Sequence, residues 1–297
     1  MKMLPMKSTR ARTADVAGES TVGYYEYGDS AGIPVIAFHG VPASGAGFAW
    51  AEEPAAARGI RVIAPDRPGV GLSTRRPTGW TVADYAASVR QFTDALGIDK
   101  FGVWGYSGGG PYALACAATF PAQTAGVVVA AGMGQIGEWA SADDFEKTDR
   151  QMLDLALRRP WLARRIMAAT AFAAKVSPRV AVRSFEGELT SSDREVLESF
   201  DTPAAAMEMF TSAFVSGPHG VIDDYAAIAR PWGCDVAAIS VRVDVMHGSE
   251  DTMVPLAQAE ALTALLPDAR LTVWPGEGHL ATISHVGEIL DRFVASD

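Results

Sequence analysis

The sequence predicts an α/β architecture: a mostly parallel β-sheet covered by helices on both faces, with a helical segment inserted late in the chain. Three observations predict it. Short apolar runs alternate with amphipathic stretches from Val22 to Ala131, the rhythm that builds parallel sheets. The apolar run Phe101-Gly102-Val103-Trp104 turns through Gly105-Tyr106-Ser107-Gly108-Gly109 into a helix-like run from Gly110 to Ala118. After Gly132 the rhythm stops, and strand patterning returns only at Val241.

Taken in order, residues 1–15 lack periodicity and are expected to form a loose tail. Lys2, Lys7, Arg10 and Arg12 make this stretch basic, but no apolar run follows, so no signal peptide is read. Val22–Tyr27 alternates like a strand and is closed by the turn Asp29-Ser30-Ala31-Gly32. Pro34–Phe38 and Arg61–Ala64 read as buried strands. Val82, Tyr85, Val89, Phe92 and Leu96 recur at helical spacing, and Gly97 ends that helix. Phe101–Trp104 and Gly126–Ala131 are strands flanking a helix.

The stretch 135–231 is expected to be a helical insertion between two parts of a core, 16–134 and 232–297. Met207, Phe210 and Phe214 fall on one helical face there, and Pro160, Pro178, Pro203 and Pro218 punctuate the segment. Strands resume at Val241–Met246 and Leu271–Trp274 with a helix, Leu256–Leu266, between them. A final helix is expected from about His279 to Val294.

Composition narrows the function. The chain has 297 residues, 48% of them hydrophobic and 20% charged, as in ordinary globular proteins. A net charge of −10 argues against nucleic acid or an anionic membrane as partner. The longest apolar stretch, Val127–Met133, is too short to cross a bilayer. Cys116 and Cys234 form no disulfide framework and have no metal-ligand spacing, so they read as buried small residues of a cytoplasmic protein.

The chemistry centres on Ser107. A G-x-S-x-G pentapeptide between strand and helix makes a very tight turn, where bulky side chains two positions either side of the serine would collide with backbone. Ser107 would then stand above the sheet at the start of a helix. A serine hydroxyl is a weak nucleophile and needs a base and an orienting acid. His279 follows Pro275-Gly276-Glu277-Gly278, directly after the last strand pattern. In a parallel sheet, loops leaving the carboxyl ends of the strands gather on one edge, the edge of Ser107. His285 lies within the expected last helix, His247 ends a strand, and His219 sits in the insertion without an evident partner.

Asp251, in His247-Gly248-Ser249-Glu250-Asp251, follows another strand end and is the candidate acid, with Glu250 its nearest competitor. A cap or turn aspartate is the plainer reading of the same position. Oxyanion donors are also required. The N–H groups of Val41, in His39-Gly40-Val41-Pro42, and of Gly108 are assigned to that role; His39 reads as structural. Asp66-Arg67-Pro68-Gly69-Val70-Gly71-Leu72-Ser73 looks like a phosphate loop, yet it lacks both the third glycine and the lysine, and reads as a tight turn.

Together these segments resemble the α/β-hydrolase superfamily, in its cap-bearing, esterase-like branch. The order Ser107, Asp251, His279 is that superfamily's triad order. The resemblance implies an eight-stranded-type sheet with one antiparallel edge strand, and a helical lid inserted after the sixth strand. Relatives with an aspartate nucleophile include haloalkane dehalogenases and soluble epoxide hydrolases, activities that Ser107 disfavours. Proline iminopeptidase relatives carry a longer glycine-rich oxyanion segment than Val41-Pro42.

The resulting expectation is a serine hydrolase that cleaves a carboxylic ester or related acyl compound without metal or organic cofactor. Tyr106, Trp139, Trp161, Met207, Phe210 and Phe214 are candidate pocket residues, although packing alone explains each equally well. Carbon–carbon bond hydrolysis and perhydrolysis on the same triad are alternatives. A non-catalytic small-molecule receptor on this fold is the alternative from another class.

Overall fold

Apolar runs of about six residues dictate the central layer. In a computed structural model that describes residues 11–16, 20–185, 187 and 189–294, eight strands form one sheet. They are β1 (Ala11–Val16), β2 (Ser20–Gly28), β3 (Ile33–Phe38), β4 (Ile60–Pro65), β5 (Phe101–Tyr106), β6 (Thr124–Ala130), β7 (Val243–Gly248) and β8 (Ala269–Trp274). Their spatial order is β1-β2-β4-β3-β5-β6-β7-β8. Pairing is parallel from β4 through β8, whereas β2 is antiparallel to both β1 and β4.

Side chains alternate across the sheet because successive residues of a strand face opposite ways. Val35, Ala37, Trp104, Val128 and Met246 enter one apolar layer. Ile36, Phe38, Val103, Val129 and Val245 enter the other. Strands covered on both faces need no polar residues, which is why β5 is buried along its whole length. Each fully buried Val or Phe contributes about 1.5–3 kcal/mol relative to exposure.

The helices are α1 (Glu52–Ala56), α2 (Val82–Ala95), α3 (Gly110–Thr119), α4 (Lys147–Arg158), α5 (Pro160–Val176), α6 (Pro178–Phe185), α7 (Ser191–Glu198), α8 (Pro203–Ser212), α9 (His219–Ile228), α10 (Leu256–Leu265), α11 (Ala281–Ser284) and α12 (Val286–Asp291). Tyr85 and Phe92 of α2, Tyr112 of α3, Tyr225 of α9 and Leu262 of α10 pack on one face of the sheet. Ala55 of α1, Ile283 of α11 and Ile289 of α12 pack on the other. A capping box starts α2: Thr81 N–H donates to Asp84 at 2.8 Å, and Asp84 N–H donates to Thr81 Oγ1 at 3.1 Å. Gly97, at φ +68°, closes that helix as expected.

Three expectations are corrected. Residues 11–15 are not tail: Ala11–Val16 is strand β1, paired with β2 from Ala11 opposite Tyr25 to Val16 opposite Ser20. Backbone pairing holds this mostly exposed edge strand, so it carries no apolar alternation to read; residues 1–10 of the expected tail lie outside the described residues. Because β1 pairs outside it, the antiparallel strand β2 is second from the edge and not the edge itself. The final helix is two, α11 and α12, interrupted at His285.

Helices α4 to α9 lie between β6 and β7. In that interval only the isolated bridge between Ile136 and Ala140 has strand character among the described residues. The last of these helices, α9, is buried from Gly220 to Ile228 and belongs to the main core.

Candidate active site

Register brings the reactive segments together. Phe38 of β3 pairs with Gly105 of β5, so the residues that follow each strand emerge side by side. Chain order also reverses here, since β4 lies on one side of β3 and β5 on the other, the arrangement that opens a crevice at the carboxyl ends of strands. Likewise Gly248 of β7 pairs with Trp274 of β8, which juxtaposes the loops carrying Asp251 and His279.

The turn after β5 has the strain that the sequence implies. Ser107 has φ +53°, a left-handed conformation rare for a residue with a side chain. Its glycines are there for space. A Cβ on Gly105 would stand 2.6 Å from Gly109 O, and one on Gly109 would stand 2.0 Å from Phe38 O. Gly40 meets the serine itself: a Cβ there would lie 3.2 Å from Ser107 Cβ. One on Gly108 would lie 3.2 Å from Val41 N, so the two expected oxyanion donors are neighbours beside Ser107.

Arg67, which sequence reasoning passed over as part of a turn, fixes this loop from behind. The fully buried guanidinium donates to Gly40 O at 2.8 Å, to His39 O, and to Asp224 Oδ2 on α9 at 2.8 Å. Tyr112 donates to the other oxygen of Asp224. His39 donates its Nδ1 proton to Gly40 O at 2.8 Å, and Nε2 accepts from Arg67 N–H. Burial, then the Arg67 charge, hold the His39 pKa well below its ordinary value. A neutral imidazole in a structural role agrees with the expectation for His39.

Asp251 and His279 form a hydrogen-bonded carboxylate–imidazole pair. His279 Nδ1 lies 2.8 Å from Asp251 Oδ2. Asp251 Oδ1 accepts the N–H groups of Met253 and Val254, each at 2.9 Å. His247 donates Nε2–H to Val254 O at 2.7 Å and stands 3.2 Å from Asp251 Oδ2. Burial alone would raise the Asp251 pKa, but the two histidines outweigh it and hold the carboxyl far below its usual range. For His279 burial pulls downward, yet Asp251, with Asp193 and Asp149 behind it, leaves the imidazole above its ordinary value. The ionised acid can only accept, so the His279 proton sits on Nδ1 and Nε2 is the basic nitrogen.

The imidazole bonds Asp251 and not Glu250 among the described residues, and the Glu250 N–H donates to Glu277 O at 2.8 Å, tying the two loops together. His285 stacks on Trp274 at 4.6 Å and bonds Glu277 at 2.7 Å, away from Asp251.

Ser107 and His279 open onto one cavity of about 240 Å³ with a mostly apolar wall. No hydrogen bond joins them directly among the described residues, and such contacts are commonly long before substrate binds. Tyr106, Met207 and Phe210 line the cavity as expected, and Val41 forms part of its wall. Three expected pocket residues lie elsewhere. Trp139 packs edge-on against Trp232 at 5.1 Å. Trp161 is 57% exposed, with Arg165 over its ring. Phe214 lies beyond the end of α8, where the helical phase is lost, and packs on the core beside Phe210. Met152, Met167, Met209 and Met253 line the cavity instead.

Known proteins agree with this architecture. Residues 33–286 match the family model described as alpha/beta hydrolase fold. The chain is 26% identical over 280 residues to a 2-hydroxymuconate semialdehyde hydrolase of Pseudomonas putida, covering 89% of this chain and 88% of that one. It is 26% identical over 279 residues to a proline iminopeptidase of Xylella fastidiosa, covering 87% of each. A thermophilic esterase from Thermogutta terrifontis superposes with a TM-score of 0.67 at 20% identity, over 96% of this chain and 100% of that one. With strand order, elbow and family model in agreement, the chain belongs to the alpha/beta hydrolase fold family and is a hydrolase.

Proposed function

We propose that this hydrolase cleaves a carboxylic ester, or a related acyl compound, through an acyl-enzyme on Ser107. One observation carries the reading: the strained Ser107 and the Asp251-paired His279 share the wall of one apolar cavity. Ser107 Oγ attacks the acyl carbon as His279 Nε2 takes its proton. The N–H groups of Val41 and Gly108 stabilise the oxyanion, and the imidazolium, steadied by Asp251, returns its proton to the leaving alcohol. Water, deprotonated by the same imidazole, then releases the acid.

The cavity wall points to an uncharged, apolar acyl group. Its described lining includes Glu146 and Asp149 but no lysine or arginine. A carboxylate-bearing substrate would meet unfavourable charge there. Similarity to the 2-hydroxymuconate semialdehyde hydrolase supports carbon–carbon bond hydrolysis as a second reading.

The test is a fluorophosphonate probe followed by intact mass, then a panel of nitrophenyl esters of increasing acyl length. One adduct that disappears in Ser107→Ala, with turnover of neutral esters, is expected. Labelling with a flat ester panel would favour the second reading; an unlabelled native protein would overturn both.

A further inference from the structure

We propose that Asp193, on helix α7 of the inserted segment, is a positioning residue for His279, holding the base in place only while α7 is docked. This rests on the reading of His279 as the catalytic base. The contacts bracket the imidazole along the chain. Leu280 N–H donates to Asp193 Oδ1 at 2.7 Å, and Gly278 N–H donates to Ser192 Oγ at 2.9 Å. The residues immediately before and after His279 are thus both held by the first turn of α7.

The grip is built into that helix. Asp193 is wholly buried and closes a capping box: its Oδ2 accepts Thr190 N–H at 3.2 Å and Thr190 Oγ1–H at 2.9 Å, while its own N–H donates to Thr190 Oγ1. Close approach needs Gly278, because a Cβ there would lie 2.2 Å from Asp193 Oδ2. One turn further, Val196 and Leu197 pack in the same apolar layer as Leu280 and Ala281. Undocking α7 would expose this apolar contact and free the amides on both sides of the base.

Asp193 also brings charge. The groups around the imidazole are Asp251 from the loop after β7, Asp193 from α7, Asp149 from α4 and the Tyr106 ring at 5.3 Å from β5; His247 acts through Asp251. Asn at 193 keeps an oxygen acceptor for Leu280 N–H and removes the charge, giving up the bond from Thr190 N–H because its amide nitrogen cannot accept, while Ala removes every acceptor.

Three readouts on the full chain separate these roles: NMR titration of the His279 ring, amide hydrogen exchange at 278–280, and the fluorophosphonate labelling rate against pH. Asp193→Asn is expected to keep amide protection at Leu280 and to lower the imidazole midpoint. Asp193→Ala is expected to lose protection at Leu280 and to label about tenfold more slowly or worse. Ser192→Ala should open Gly278 alone. If Asp193→Ala does not fold, the Asn midpoint and the Ser192→Ala exchange decide. Unchanged midpoint in Asp193→Asn together with unchanged exchange at 278–280 in the others would overturn the proposal. A wild type that takes no probe would instead sink the esterase reading, and titration and exchange would still judge Asp193.

Discussion

Arg67 and Gly40 are joined by a 2.8 Å hydrogen bond that aims a peptide group. Across a trans peptide the C=O and N–H point in opposite directions. With the Gly40 carbonyl drawn to the guanidinium, the Val41 N–H faces away from Arg67, and Val41 lines the same cavity as Ser107. Arg67→Met leaves Asp224 buried without its cation and is expected to cost about 3–5 kcal/mol in urea unfolding. Arg67→Met with Asp224→Leu should regain much of that stability. Ester turnover in the double variant should stay about tenfold or more below wild type, because the Gly40 carbonyl then keeps only its bond from His39 and the peptide is less firmly aimed. Wild-type turnover there would remove Arg67 from the machinery.

The two late histidines should separate cleanly. His279→Ala removes the imidazole bonded to Asp251, and kcat on nitrophenyl esters is expected to fall by about 10³-fold or more. His285→Ala loses only a stack on Trp274 and a bond to Glu277. Its kcat should stay within about twofold of wild type, in line with surface changes that typically cost little.

Activity should rise with pH along a limb set by the Asp251–His279 pair, because only neutral imidazole accepts the Ser107 proton. Its apparent pKa is expected above 6.5, the ordinary value from which the acid lifts His279. Asp251→Asn should move the limb downward, leaving burial dominant, and cut kcat by about 10³–10⁴-fold. Stability follows the same pair. The depressed Asp251 pKa stabilises the fold above the carboxyl's ordinary 3.8 and loses that contribution as pH falls through the folded value. The raised His279 pKa stabilises below 6.5 and loses its contribution as pH rises through the folded value. The urea-midpoint gap between wild type and His279→Gln should therefore be widest from pH 3.8 to 6.5 and shrink on either side.

Acyl preference should respond to the cavity wall alone. Phe210→Ala enlarges the cavity and is expected to shift the best nitrophenyl ester toward longer chains. Trp161→Ala, on an exposed ring, should leave the chain-length profile unchanged. A profile that moves with Trp161 and not Phe210 would mean that acyl chains bind outside this cavity.

What the sequence disclosed and what it hid have physical causes. Ser107, Asp251 and His279 follow apolar runs bounded by turn residues, and parallel strands deliver such positions to one edge. Strand β1 was illegible because its polar, exposed residues are held by backbone pairing. Arg67 and Asp224 are 157 positions apart, and no local pattern joins them. Asp193 looks like an ordinary capping-box aspartate until α7 is packed against the loop after β8. Helical phase put Met207, Phe210 and Phe214 on one face, but the phase ended with α8 at Ser212, so Phe214 left the cavity.

The placement of Asp224 on α9 bears on how such an enzyme could be re-engineered. The inserted segment combines exchangeable wall with two tethers, α7 at the base loop and α9 behind the oxyanion loop. A chimera joined at residue 231 would discard the α9 tether together with the wall. Junctions near Gly217, with the Ser192-Asp193 step and α4, which carries Asp149, retained, would allow α5 and α8 to be exchanged while both tethers stay in place.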